Sequence, residues 1–600
     1  MIITLMCGIL SILNGESLDP NVLKQSTAAG SSRGPESTKS AFIHNAQHIF
    51  HRLAINGLDD SNMMPLQVDD CVLICNGEIY NYHELVSYLN LTPTTKNDCE
   101  IIIHLYRRVG IKRTLELLDG EFSFVLQDLK ISIENAPDKI YIARDPYGVR
   151  PLFIMNDINK SNVLAVASEM KVLHSLNIDS TISQFTPGSF AIIEKDWRVQ
   201  SKWKLMSTEK YHNFSGLSTS IHTPNPDDAT IVDYCSSIVN TLTDAVRKRI
   251  QNAERPIAFL LSGGFDSSIV AGIASRLMNE SINTYSIGFS NSPDIINARI
   301  VATYIGSNHH EIILTEQEFL DAIPEVIRTI ESFDTTTVRA SVGNYLVAKH
   351  IAALDKEKVV LNGDGSDECC GGYLYFNAAP DDIAFDVECK RLLDNIHFFD
   401  GLRSDRSVST HGLEPRTPFL DKTFVQNYLA IPACVRNHKS SFNKNLKLWD
   451  RIGLHPETGN KTALSEIISS RPTKLLIRFS FFMHARHIIP DIILWRTKEA
   501  FSDGVSESTR SWHDIIKEYV ADKTTVVLAN HAGHMYPTTK EQEWYRNIFD
   551  RHYPNRENVI PYFWMPHWVD SKDASARALT FYTKSKTKSE ESNVEANEEH

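Results

Sequence analysis

Leu260-Leu-Ser-Gly-Gly-Phe-Asp-Ser-Ser268 decides how the rest of the chain is read. Pro256 to Leu261 is a short apolar run after a charged segment, as in a buried strand. Ser262, Gly263 and Gly264 turn the chain, and Ile269 to Met278, rich in Ala, Ile and Leu, reads as a helix. Strand, Gly-rich turn and helix start form an anion site, because free backbone N–H groups and the helix dipole converge on one point. Glycine lets the backbone approach a phosphate closely. Asp266 stands where a carboxylate could hold a magnesium ion on that phosphate. Taken alone, the string also fits a Gly-Ser turn ahead of a core helix. No Lys follows the second Gly, so it is not the GxxxxGK[ST] loop.

Outward from this point the C-terminal half alternates strands and helices. Ile231–Asn252 is helical, Thr284–Phe289 and Ile312–Leu314 are strands, and the order predicts a parallel sheet with ligands at its C-terminal edge. His309 and His310 have no third ligand nearby and read as structural. Val359-Val-Leu-Asn-Gly-Asp-Gly-Ser-Asp-Glu368 is a second β run into a Gly-rich turn with acids. Asp266 and Asp367 could share one magnesium with a triphosphate; the spacing of an EF-hand is absent.

Upstream, from Cys7 to about residue 205, short β-like runs alternate with polar turns: Gly8–Leu13, Cys71–Cys75, Phe122–Leu126, Lys139–Ala143, Leu152–Met155, Val163–Ala167 and Ser189–Ile193. Helices are expected near Ala41–Ile49, His83–Leu89 and Cys99–Arg108, and surface loops at Ser31–Ser40 and Ile131–Asp138. The mixture predicts an α/β layered domain on antiparallel sheets. Ser207 to Asp228, rich in Ser, Thr, Asn, His and Pro, reads as a linker. Cys7 is a candidate nucleophile: a thiol at a chain start can use its own α-amino group as base. By itself it reads more readily as a buried Cys opening a strand.

The 600-residue length predicts two or more domains, and a net charge of −13 argues against a nucleic-acid surface. No apolar run reaches the ~20 residues of a membrane span. Met1-Ile-Ile-Thr-Leu-Met6 is short and lacks a basic residue, a poor secretory signal. Nine cysteines without framework spacing suggest reduced thiols, hence a cytoplasmic protein, and no CxxC pair points to structural zinc.

The Ser262–Ser268 string resembles the SGGxDS pyrophosphate loop of the ATP-pyrophosphatase family. Arg33-Gly-Pro-Glu36, His51-Arg-Leu-Ala-Ile55, Cys75-Asn-Gly-Glu-Ile-Tyr-Asn81 and Asn97-Asp-Cys-Glu100 resemble, in this order, the class II glutamine amidotransferases. Arg144–Leu152 and Ala167–Lys171 also match the pattern and are given a structural role. With Asp334–Ala340, Gly412–Asp421, Arg496–Val505, Tyr562–Pro566 and Asp573–Arg577, the chain resembles the asparagine synthetase family from Cys7 to about Tyr582.

The resemblance implies an N-terminal αββα glutaminase domain over 7–205, a linker over 206–229, a parallel-sheet α/β domain over 230–583 and a tail over 584–600. It implies ATP and Mg2+, glutamine and aspartate as substrates, an aspartyl adenylate, ammonia passed between two sites, and a homodimer. Carried onto this chain, the catalytic residues are Cys7, Asn76, Gly77, Asp364 and Lys498. Arg52, Leu53, Ile55, Glu78 and Asp98 would join Asn76 and Gly77 around glutamine. Leu260, Ser262, Gly263, Gly264, Asp266, Ser267, Ser268, Ile287, Asn362 and Gly363 would bind ATP, with Asp266 and Asp367 on the metal. Related synthetases with another acceptor, and non-catalytic paralogues, share parts of this pattern.

Departures are specific. Six residues precede Cys7 and must be removed to free its amine. Ser32 and Glu36 replace the ends of an HRGPD motif, Asn362 stands for Ser, Phe265 for Leu, and Asp364 for Glu. Arg436–Ile488 fits poorly and reads as an insertion.

Overall fold

The computed structural model describes residues 7–129, 138–157, 162–195, 202–214, 226–445, 471–499, 501–507, 510–522, 534–571 and 573–575. The leader, most of the 131–138 loop and the tail therefore lie outside the described residues.

Two six-stranded antiparallel sheets build the N-terminal half. The first contains β1 (Gly8–Leu13), β2 (Ser37–Ile43), β3 (Ala46–Arg52), β8 (Phe153–Asn156), β9 (Leu164–Ala167) and β10 (Ile182–Gln184), in the order β10-β8-β9-β1-β3-β2. The second contains β4 (Leu66–Val68), β5 (Cys71–Ile79), β6 (Gly120–Asp128), β7 (Asp138–Arg144), β11 (Ser189–Lys195) and β12 (Trp203–Lys210), in the order β12-β11-β7-β6-β5-β4. The period of two explains the layering. Ile9 and Leu13 of β1 join Phe50, Leu73 and Phe124 between the sheets, whereas Leu10 and Ile12 face the helix Met170–His174.

Three sequence expectations are corrected here. Ala41–Ile49 is a hairpin, β2 against β3, turned at His44 and Asn45 with φ of 47° and 62°, the left-handed pair that a two-residue hairpin requires. Ser31–Ser40 is a short 3-10 turn followed by β2, and its Arg33 is wholly buried rather than on a surface loop. The boundary at 205 falls inside β12, which pairs with β11 as far as Lys210.

The C-terminal half carries the expected parallel sheet: β13 (Ile257–Leu260), β14 (Asn283–Gly288), β15 (Asn308–Ile313), β16 (Val359–Leu361) and β17 (Glu414–Arg416), ordered β15-β14-β13-β16-β17. Within the stretch taken as an insertion, Leu475–His484 is a buried helix packed on Asp228–Gln251, so its C-terminal part belongs to the core. The segment 446–470 lies outside the described residues. Leu10 and Phe153 of the first sheet share one apolar cluster with Tyr285, Phe319 and Trp512, so the two halves are packed together. Among the described residues no helix is long and apolar enough to cross a membrane.

Candidate functional site

The first site lies where β1, β3 and β5 meet. Cys7 stands one residue ahead of β1, and its Sγ lies 3.3 Å from the Leu53 carbonyl oxygen, to which it donates, and 3.4 Å from the Leu53 amide. Burial pushes the thiol far up, the state of an inactive thiol. On β5 the Asn76 side chain is buried and its Nδ2 has no hydrogen-bond partner among the described residues. An unpaired buried amide donor is unfavourable unless something is to be bound there. Arg52 donates from Nη2 to the carbonyls of Gly57 (2.6 Å) and Asp59 (2.9 Å), which fixes its fork. Asp98 accepts the Ile79 amide at 2.5 Å, and burial raises its pKa to about 6 against that bond. Glu78 accepts from Asn56 Nδ2 at 2.6 Å, and its carboxyl is raised by burial and by Asp98. Gly77, Leu53 and Ile55 complete the wall; Ile55 is buried, and Gly77 pairs with Phe122 of β6.

The second site opens at the C-terminal edge of the parallel sheet. Gly263 has φ +68°, and a Cβ there would lie 2.3 Å from the Asn297 carbonyl carbon, so the turn requires glycine twice over. The helix starts at Phe265, earlier than expected, which places Asp266 in its first turn. Ser262 and Ser267 bond each other across the turn at 3.1 Å.

Four charged side chains form a ring in front of this turn. Lys474 Nζ lies 2.6 Å from Asp266 Oδ1 and 2.6 Å from Asp367 Oδ1. Lys498 Nζ lies 2.6 Å from Asp367 Oδ2 and 3.5 Å from Asp266 Oδ2. The Asp266 carboxyl is held well below its ordinary range by the two lysines, against the opposing effect of burial. Ser366 Oγ donates to Asp266 Oδ1 at 2.7 Å. The donor set is hard oxygen from two acids and a hydroxyl. It suits a magnesium ion that draws its remaining ligands from phosphate and water.

Leu260, Ser262, Asp266, Ser267, Ile287, Asn362, Gly363, Asp364, Asp367 and Lys498 line one cleft, together with Thr336, Tyr373, Arg403 and Trp564. Gly264 lines an adjoining pocket with Arg478 and Arg496. Ser268 is buried and lines neither. Asp364 is gripped on both oxygens: Arg403 Nη2 donates to Oδ1 at 2.8 Å and Asn362 Nδ2 to Oδ2 at 2.9 Å. Burial raises its carboxyl, and Arg403 opposes that shift.

Sequence reasoning missed Lys474, Arg478 and Arg403. The signal for the first two was present: Lys474 caps the start and Arg478 lies inside the apolar helix that opens Leu475-Leu-Ile-Arg-Phe-Ser-Phe481, where cations must find buried partners. His309, read as structural, bonds Thr284 Oγ1 at 2.9 Å and Ser286 Oγ at 3.1 Å.

Comparison with known proteins adds an independent line. The family model described as asparagine synthase matches residues 237–383 and 379–570, and that of a glutamine amidotransferase domain matches 6–197. The glutamine-hydrolysing asparagine synthetase of Gallus gallus is 37% identical over 96% of this chain and 99% of its own length. The Homo sapiens protein of the same name is 35% identical over the same shares. Among solved structures, the glutamine phosphoribosylpyrophosphate amidotransferase of B. subtilis, complexed with ADP and GMP, is 16% identical at a TM-score of 0.29, covering 52% of this chain and 91% of that one. A score that low contributes nothing to the assignment.

Proposed function

Because the chain belongs to the family of glutamine-hydrolysing asparagine synthetases, we propose that its two sites divide one reaction between them. It makes asparagine from aspartate in an ATP-dependent reaction that takes nitrogen from glutamine. In the first site Cys7, once it is the first residue, attacks the glutamine amide carbon, with its own α-amine taking the thiol proton. Asn76 Nδ2 and the Gly77 amide stabilise the oxyanion; its collapse expels ammonia, which takes the proton back from the α-amine, and water then hydrolyses the Cys7 thioester to glutamate. Arg52 takes the substrate carboxylate as a fork, Asp98 its ammonium, and Leu53, Ile55 and Glu78 close around the chain.

In the second site the adenine lies against Leu260 and Ile287, and the triphosphate faces the Ser262–Ser267 turn. Asp266 and Asp367 would hold a magnesium ion, which when bound neutralises phosphate charge. Lys474 and Lys498 then turn from the acids toward the phosphates as pyrophosphate leaves. The acceptor's side-chain carboxylate is thereby adenylated. Ammonia arriving from the first site attacks the acyl carbon of the adenylate, Asp364 takes a proton from the nitrogen, and AMP leaves with the acyl–oxygen electrons as the amide forms.

The observation that carries this reading is the ring of Asp266, Lys474, Asp367 and Lys498, two acids and two ammoniums poised at a helix start. Aspartate-dependent exchange of labelled pyrophosphate into ATP tests it. Exchange that needs aspartate supports the reading; ADP and phosphate as products, or exchange indifferent to aspartate, contradicts it.

Two expectations follow from the charges. Asp98 must be ionised to meet the substrate ammonium, and its raised pKa of about 6 means that it takes up a proton as pH falls through that value. The KM for glutamine should therefore rise below pH ~6, while the KM for aspartate with ammonium chloride, corrected for free ammonia, should not follow it. Asp364→Asn should slow ammonia-dependent synthesis about 10²-fold or more and leave pyrophosphate exchange. Asp364→Glu, which lengthens the reach by one methylene, should at least equal the parent; a slower Asp364→Glu would contradict the role of reach.

A further inference from the structure

We propose that Asp405, a residue of the synthetase half, completes the seat of the Cys7 nucleophile, acting through Arg33 as a positioning pair for glutamine hydrolysis. This rests on the reading of Cys7 as the glutaminase nucleophile.

Cys7 lies just outside the β1 ladder, whose pairing with β3 begins at Gly8 opposite His51. Its main chain is instead held by Arg33, whose Nε donates to the Cys7 carbonyl oxygen at 3.1 Å. A thiol that must attack a substrate carbon whose oxygen is held at the Asn76 amide needs that peptide fixed, because displacement of about 1 Å can lower a rate a hundredfold.

Arg33 in turn is gripped from across the chain. Its Nη1 and Nη2 donate to Asp405 Oδ2 and Oδ1 at 2.7 and 3.0 Å, a two-bond fork, and Nη1 also reaches Ser409 Oγ at 2.9 Å. Within the N-terminal half, Glu169 Oε1 is more distant, at 3.4 Å. The next residue, Gly34, is pressed on β3: a Cβ there would lie 2.2 Å from the His51 carbonyl carbon, so the backbone behind Arg33 packs directly on that strand.

Asp405 is equally constrained. It sits on the helix Asp400–Ser409, in which residues 401–409 are all buried. That helix is tied to the synthetase site by Arg403 on Asp364 at 2.8 Å, and to Glu331 by Arg406 at 2.5 Å. Arg33 thus joins the Cys7 carbonyl to Asp405, which shares a helix with Arg403, the partner of Asp364, so the glutaminase seat draws on both halves. A carboxylate at 405 supplies both charge and two acceptors matched to the guanidinium.

Asp405→Asn, made in the full chain starting at Cys7, tests this. Glutaminase kcat should fall about tenfold to a hundredfold, with the KM for glutamine and ammonia-dependent synthesis each within about twofold of the parent. Arg33→Lys, which keeps the charge but loses the fork, should give the same pattern, and it decides the matter if Asp405→Asn does not fold. An unchanged glutaminase kcat overturns the proposal. So does an equal fall in both activities, the result expected of a mere strut between the halves. Parent and Cys7→Ala proteins are assayed alongside. If the parent hydrolyses no glutamine, or Cys7→Ala hydrolyses it as fast, the glutaminase reading itself has failed and the proposal falls with it.

Discussion

Replacing Cys7 by alanine removes glutamine-dependent asparagine synthesis, by at least about 10³-fold, and leaves ammonia-dependent synthesis at the parent rate. The asymmetry follows from where the atoms are. Cys7 Sγ is hydrogen-bonded to Leu53 at the edge of the first site, and Cys7 is not among the residues lining the ATP cleft. Alanine removes the sulfur and leaves the main-chain bond from Arg33 intact. Initial rates with glutamine and with ammonium chloride, compared at one aspartate and ATP concentration, read the outcome. A parallel fall in both rates would mean that Cys7 is structural. A protein that keeps the six residues before Cys7 should behave as Cys7→Ala does with glutamine, since its nitrogen is then an amide with no proton-accepting pair.

Lys474→Met is the second large effect, expected with either nitrogen donor. Lys474 is 1% exposed and its ammonium is shared between Asp266 and Asp367. Removing it leaves two carboxylates facing each other with Lys498 alone, an arrangement that costs about 3–5 kcal/mol in a buried site. In the proposed reaction it also removes a cation from the point where pyrophosphate charge would develop. AMP formation should fall about 10²–10³-fold, and the thermal midpoint should drop. Added magnesium should recover part of that midpoint, because a divalent ion between Asp266 and Asp367 offsets the same repulsion. If AMP formation persisted at the parent rate, Lys474 would be a structural lysine and the ring would not be the phosphate site.

Much of this was legible from residues next to one another. The turns at Ser262–Gly264 and Asn362–Gly365 each follow a short apolar run, and local order alone places them at the edge of a parallel sheet. Cys7, Arg52, Asn76 and Asp98 were legible through their motifs and come together where β1, β3 and β5 meet. The β2–β3 hairpin was not. Its His44-Asn45 turn lacks the Asn-Gly signal, and the apolar Ala41, Phe42, Ile43 and Ile49 imitate a helical face.

The buried charges were illegible for another reason. Arg33 and Asp405 are 372 residues apart, and a charged side chain in sequence looks like surface until its partner is known. Lys474 falls in the stretch that reads as an insertion, although an apolar helix capped by Lys474 and carrying Arg478 demands buried acids somewhere in the fold.

The most direct test of the central claim follows one nitrogen atom. Protein shown by intact mass to begin at Cys7 is given aspartate, ATP, magnesium and glutamine labelled with 15N at the amide, and products are counted by NMR and chromatography. The account predicts 15N in the side-chain amide of asparagine, with AMP and pyrophosphate formed in equal amounts to it. Labelled ammonia released with no labelled asparagine, or asparagine formed alongside ADP, would contradict it.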